Sequence, residues 1–254
     1  MKFFIVNSLF FYTLLFAIDG ESVFAKKCAS CHQYYISQSK IIANAKHHNR
    51  ELNLTAPTLT EMSFAIKDHV GDRTLDSEGQ QFQIEEWLAE YLEAPTKEKG
   101  VISDEFNRFF KPMPTMKGKL TEEEIEALTV FIYEYAQKMM REHGVKRYSY
   151  EEALSLAKKE NKIILIEGFI PFCRGCIKMD REVLVDERVK TMLNKHFVLV
   201  KKNLLIEKLP LNIKRLGTPS FYFIDKTGTN VLEMVQGTGT VEEFLTLLES
   251  VVVP

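Results

Sequence analysis

Cysteine is scarce in this chain and none is left over: Cys28, Cys31, Cys173 and Cys176 form two C-x-x-C pairs. Each pair closes only a tiny loop, and the pairs lie more than 140 residues apart, so as staples they constrain little unfolded-chain entropy. An even cysteine count in an exported chain normally suggests staples, but this spacing favours chemistry at both pairs. A basic excess is missing too. The formal net charge is -2 and the sequence pI about 6.3, and no Lys/Arg run alternates with aromatics, which excludes nucleic acid as an expected partner. Internal repeats and low-complexity tracts are absent, and tryptophan occurs once, at Trp87. What is present, 45% hydrophobic and 27% charged residues in a chain of 254, is globular in composition and long enough for two domains.

The one long apolar run, Phe3 to Ile18, follows Lys2, is interrupted only by Asn7, Ser8 and Thr13, and ends before Asp19. This is the layout of a secretory signal peptide, too short for a comfortable transmembrane helix. Cleavage is expected after Ala17; the alternative VFA, ending at Ala25, would cut two residues before Cys28. The expectation is a periplasmic protein with residues 1–17 removed and no membrane span thereafter, an uncleaved anchor being the alternative.

The remainder reads as two units. TEEEIEALTVFIYEYAQKMMRE places Ile125, Leu128, Phe131, Ile132, Ala136 and Met139 on one face behind a Thr121/Glu124 capping box, predicting a helix that ends near Gly144. Upstream, helices are expected over 21–31, 81–94 and 104–110, with no alternating strand, so residues 18–143 read as all-α. After a linker at 144–147 the texture changes. Helices over 151–162, 176–195, 206–216 and 241–251 and strands IILIEGF, HFVLVKKNL, SFYFID and NVLEMV alternate in an αβαβαββα order. That order predicts a mixed sheet covered on both faces over residues 148–254.

In FAKKCASCHQ, Phe24, Cys28 and Cys31 share one face of a helix, and His32 follows directly. Both thiols then reach the two vinyl groups of one porphyrin, and C-x-x-C-H is the haem attachment signature. A second iron ligand is offered by Met113 in KPMPTMKGKL, with Met116 as rival; His/Met ligation raises a haem potential. His47, His48 and His69 offer bis-His ligation instead, though the His47–His48 pair reads better as a solvated loop. With its first-turn helix, C-x-x-C-H, Met-Pro loop and terminal helix in this order, the stretch from about 19 to 140 resembles the monohaem class I cytochrome c family. The resemblance implies one covalent haem c on Cys28 and Cys31, His32 and Met113 as axial ligands, and Pro57 steadying His32 through its carbonyl. Trp87 is a candidate haem-lining residue, although its spacing with Ile84, Leu88 and Tyr91 equally marks a core face.

PFCRGCIKMD follows an apolar strand and opens a helix, so Cys173 sits where backbone N–H groups and the helix dipole favour a thiolate, while Cys176 is placed to resolve a mixed disulfide. A zinc site would need two more ligands, and no other cysteine pair is free. Residues 148–252 resemble periplasmic thioredoxin-like domains. That resemblance implies a cis Pro219 lying against the C-x-x-C, in Gly217-Thr218-Pro219-Ser220, and gives Glu167 the place of the buried strand acid. A carboxylate there has its pKa raised by desolvation and is suited to take the Cys176 proton. Arg174-Gly175 between the cysteines and Phe172 before them depart from the family's usual Gly-Pro and Trp.

The combined expectation is an all-α cytochrome c fold followed by an α/β thioredoxin fold, acting as a haem-linked thiol-disulfide oxidoreductase. Its partners would be a protein thiol or disulfide and a respiratory electron-transfer protein. Dithiol couples of this fold span about −270 to −120 mV, so any exchange would run from dithiol to haem. Two alternatives stay open: a disulfide reductase serving cytochrome c maturation, and an electron carrier whose second half only docks.

Overall fold

A computed structural model describes residues 18–252; residues 1–17, where a signal peptide is expected, lie outside the described residues. The first unit is helical: α1 (Gly20–Lys27), α2 (Gln38–Lys46), α3 (Leu59–His69), α4 (Ser77–Glu93), α5 (Asp104–Asn107) and α6 (Glu122–His143). α6 is its spine, packed on α1, α3 and α4. Its start is fixed by the Thr121/Glu124 capping box and its apolar face buries Leu128, Ile132, Ala136 and Met139. Gly20 lets α1 cross α6 closely, because a Cβ there would lie 2.0 Å from the Ala127 carbonyl oxygen. At the α3–α6 contact the buried Ser63 hydroxyl donates to the Ile132 carbonyl and accepts from the Ala136 N–H, so the side chain ties α3 to the backbone of α6 without an orphaned polar group.

The second unit is a five-stranded sheet of order β1-β3-β2-β4-β5, built from β1 (Arg147–Tyr148), β2 (Ile163–Phe169), β3 (Phe197–Asn203), β4 (Ser220–Ile224) and β5 (Val231–Gln236). β3 runs parallel to β1 and β2, and β4 is antiparallel to β2 and β5. The sheet already begins at Arg147, inside the stretch read as a linker. α7 (Tyr150–Glu160) covers the face of Ile164 and Ile166, whereas α8 (Arg174–Lys178), α9 (Glu187–His196) and α10 (Val241–Val252) lie on the face of Leu165, Phe221 and Phe223.

Three expectations need correction. The helix expected over 21–31 stops at Lys27, and Cys28 to His32 form a separate turn in which Cys31 N–H and His32 N–H both donate to the Cys28 carbonyl at 3.0 Å. The single helix expected over 176–195 is divided: α8 runs into a π-helical turn, Met179–Val183, and α9 starts afresh where Asp186 accepts from Arg188 N–H. The helix expected over 206–216 is a loop with one 3₁₀ turn. Pro210 has no N–H to donate and restrains Leu209, and Leu211 and Asn212 take positive φ. Helices α2 and α3 and strand β1 were not anticipated.

Candidate functional site

The first site grows from the α1 terminus. The 28–32 turn delivers two unpaired thiols, Cys28 and Cys31, beside the buried His32. Burial, then the neighbouring Cys31, push the Cys28 thiol up to about 11, so at neutral pH it is a poor nucleophile for disulfide exchange. His32 Nδ1 lies 2.8 Å from the Pro57 carbonyl oxygen. A carbonyl only accepts, so Nδ1 carries the hydrogen and Nε2 keeps its lone pair for a ligand. Burial lowers the pKa of His32, partly offset by that hydrogen bond, which keeps the ring neutral.

All three residues line a cavity of about 320 Å³, a size usual for ligand pockets. Its walls are apolar: Met62 and Ile66 of α3, Leu88 and Leu92 of α4, and Leu128 and Ile132 of α6. Met113 lines it from the loop before α6; Met116 does not, and ties that loop to α4 through its N–H to the Leu92 carbonyl at 2.8 Å. Pro57 and Trp87 line it as well. Trp87 is stacked on Tyr91 with ring centroids 5.0 Å apart, so it faces the cavity and still packs on its own helix. Among the described residues His32 is the only histidine in the lining: His47 instead lies 3.6 Å from Glu51, and His69 faces a cleft between the two units. The donor set fits a haem, with paired thiols, an imidazole with a free Nε2, and a thioether around one apolar cavity.

The second site lies where β2 ends and α8 begins. Cys173 and Cys176 are joined in a disulfide. Cys173 is the N-cap of α8, its sulfur accepting from Cys176 N–H at 3.1 Å, while Cys176 is buried. The Thr218–Pro219 peptide is cis. Pro219 lies against the motif so closely that a Cβ on Gly175 would meet Pro219 Cδ at 2.9 Å and Thr238 Cγ2 at 2.7 Å. Gly175 and Thr238 were overlooked as part of this site; a glycine inside the motif was the available signal.

Glu167 is fully buried on β2. Its Oε2 accepts from Arg147 Nη2 at 3.2 Å, and its Oε1 lies 3.0 Å from Lys201 Nζ, an ion pair whose angles fall outside hydrogen-bond geometry. Asp180 bridges the same two cations, closing a ring of alternating charge that satisfies the requirement for pairing buried charges. Burial, then the Asp180 carboxylate, raise the pKa of Glu167, against the opposing pull of Arg147 and Lys201. Lys201 is the strand neighbour of Glu167 in register, a pairing that no local pattern reveals.

Family models match both units: that for cytochrome c over residues 17–135 and that for a thioredoxin-like domain over 150–251. The chain is a cytochrome c domain followed by a thioredoxin-like domain. The cytochrome c domain implies haem c binding. An uncharacterized protein of Aquifex aeolicus (strain VF5) is 27% identical over 143 residues, covering 51% of this chain and 89% of that protein. Among solved structures, a thioredoxin from Thermus thermophilus is 27% identical, with a TM-score of 0.38 over 43% of this chain and 88% of its own. A putative disulphide-isomerase from Bacteroides thetaiotaomicron is 23% identical, with a TM-score of 0.36 over 43% and 92%. Among the described residues no helix is long and apolar enough to cross a membrane.

Proposed function

We propose that the chain is a periplasmic thiol-disulfide oxidoreductase that carries one covalent haem c for electron transfer. The observation that carries this reading is the contrast between the two cysteine pairs. One pair is unpaired and opens with His32 into an apolar cavity; the other is a disulfide capping a helix against Pro219.

Cys28 and Cys31 would hold the haem through thioethers, with His32 Nε2 and the Met113 sulfur as iron ligands and Pro57 orienting the imidazole. The haem supplies one-electron transfer to a respiratory partner. In the thioredoxin-like domain, the reduced Cys173 thiolate attacks a protein disulfide, forming a mixed disulfide and releasing one substrate thiolate. Cys176 gives its proton to Glu167 and attacks the Cys173 sulfur. The second substrate sulfur leaves as thiolate, and the Cys173–Cys176 disulfide remains. Run in reverse, the same steps pass that disulfide to a substrate dithiol.

The test is turnover of insulin disulfides by the full haem-loaded chain, together with the midpoint potentials of the dithiol and the haem. Turnover that disappears in Cys173→Ser supports the oxidoreductase; absence of turnover in the wild type leaves an electron carrier with a docking module. Reductive turnover with a low dithiol potential assigns it to disulfide reduction.

A further inference from the structure

The two domains meet on α2 and α3: α2 packs on the π-helical turn Met179–Val183, and α3 reaches the surface around the C-x-x-C segment. α3 turns Met62 and Ile66, one helical turn apart, into the haem cavity, and Phe64, Ala65 and Asp68 outward to the thioredoxin-like domain. Asp68 accepts from both terminal nitrogens of Arg181 in the turn after α8, a bidentate pair. The same guanidinium lies 3.8 Å over the Phe64 ring. Arg73 completes the contact, 3.7 Å from Asp68 and 5.1 Å over the ring of Phe172, the residue just before Cys173. Phe172 has φ of 60°, a region that an aromatic residue rarely adopts and one that clusters at functional positions. Phe172 is 59% exposed, and its ring meets Arg73 of the cytochrome c domain.

Besides the packing of α2 on the π-helical turn, ion pairs hold this interface, which leaves a cleft of about 290 Å³ into which Arg174, Ile177 and Lys178 of α8 face. Polar, incompletely filled contacts between domains of one chain open readily, and salt weakens their ion pairs. A protein substrate must reach Cys173 past Phe172, whereas a small thiol needs only the sulfur.

We propose that the outer face of α3 is a built-in docking site for the C-x-x-C face and competes with protein substrates for the surface around Cys173. The Asp68–Arg181 pair is its latch, with Arg73 and Phe172 as the second point of attachment. The proposal rests on the thiol-disulfide reading above.

The test compares two probes on the full haem-loaded chain, insulin as a protein disulfide and dithiothreitol as a small dithiol that reduces Cys173–Cys176. Asp68→Ala and Arg181→Ala should each raise insulin turnover about five- to tenfold, the double variant no further, with the dithiothreitol rate unchanged. In the wild type, raising salt should produce the same selective gain, which reads the latch without any substitution. The latch is overturned if both probes change by one common factor, or if insulin turnover ignores both the substitutions and salt while dithiothreitol still reduces the disulfide. Failure of both probes in the wild type overturns the thiol-disulfide reading and the latch together.

Discussion

The two C-x-x-C pairs have the same spacing and sit at opposite ends of their helices. Cys28 follows the last residue of α1, where the exposed carbonyls carry partial negative charge, and burial pushes its thiol further from ionisation. Cys173 precedes the first residue of α8, where the Cys176 N–H donates to its sulfur. Position on the helix therefore separates a pair suited to being consumed as thioethers from a pair suited to cycling. The histidine after the first pair agrees with this division, and the cis Pro219 against the second completes it.

The sharpest way to break that comparison is to exchange the losses. Cys28→Ala with Cys31→Ala should remove all haem that survives a denaturing gel and leave insulin turnover in place. Cys173→Ser should do the reverse, lowering turnover by about 10³-fold or more, since Cys176, the thiol that remains in that domain, is buried away from a substrate disulfide. Should Cys173→Ser retain turnover, the division of labour is wrong. Next in size is the distal ligand. Met113→Ala should abolish the methionine–iron absorbance and lower the haem midpoint by on the order of 100 mV, whereas Met116→Ala, which keeps its backbone bond to Leu92, should leave both unchanged.

A smaller effect tests the proton acceptor. Glu167 is raised above the ordinary 4.5 by burial and Asp180. As a base it works only when ionised, so the rate of mixed-disulfide resolution should climb with pH above 4.5. Glu167→Gln should lose that climb and run about 10²-fold slower. The stability sign is opposite. A group with a raised folded pKa binds more protons in the folded state than in the unfolded one across that window, so its contribution falls as pH rises. The stability difference, wild type minus Glu167→Gln, should therefore decline as the pH rises above the ordinary 4.5 and through the raised folded value. A flat difference would mean that the ring with Arg147, Asp180 and Lys201 keeps Glu167 ionised throughout.

Where local chemistry sets an element, the sequence was readable. The Thr121/Glu124 box and clean apolar face placed α6, and the apolar run Ile163–Phe169 placed β2. α3 carries an equivalent box, Thr58/Glu61, yet shows no single stripe, because it is contacted on three sides: Ser63 by α6, Met62 by the cavity, Phe64 by the other domain. A helix serving three surfaces loses the periodicity by which helices are recognised. The candidate site divides in the same way. Its cysteines, His32 and Glu167 sit in short legible motifs. Arg147, Asp180 and Lys201 converge on Glu167 from two other strands and a turn, and Asp68 meets Arg181 across 113 positions. The π-helical turn at Met179–Val183 preserved the helical appearance of a segment that is in fact broken.

The smallest expected effect concerns the glycine that separates the second pair from the first, which has Ala29 and Ser30 between its cysteines. Gly175→Ala gains helix propensity worth roughly 1 kcal/mol but drives a Cβ to 2.7 Å from Thr238 Cγ2 and 2.9 Å from Pro219 Cδ. Overpacking of that kind costs about 1–3 kcal/mol, so the net loss in stability should be at most about 2 kcal/mol. The displacement falls on Pro219, which lies over the reactive sulfurs, and insulin turnover should drop a few-fold. Thr238 has a movable side chain and Pro219 a rigid ring, and adding Thr238→Ser, which deletes the offending methyl, tells the two contacts apart. Recovery of stability without turnover would show that Pro219, held by its carbonyl to Gly237 N–H at 2.9 Å, is the contact that positions substrate. Recovery of both would leave Gly175 a packing residue like Gly20 in the other domain.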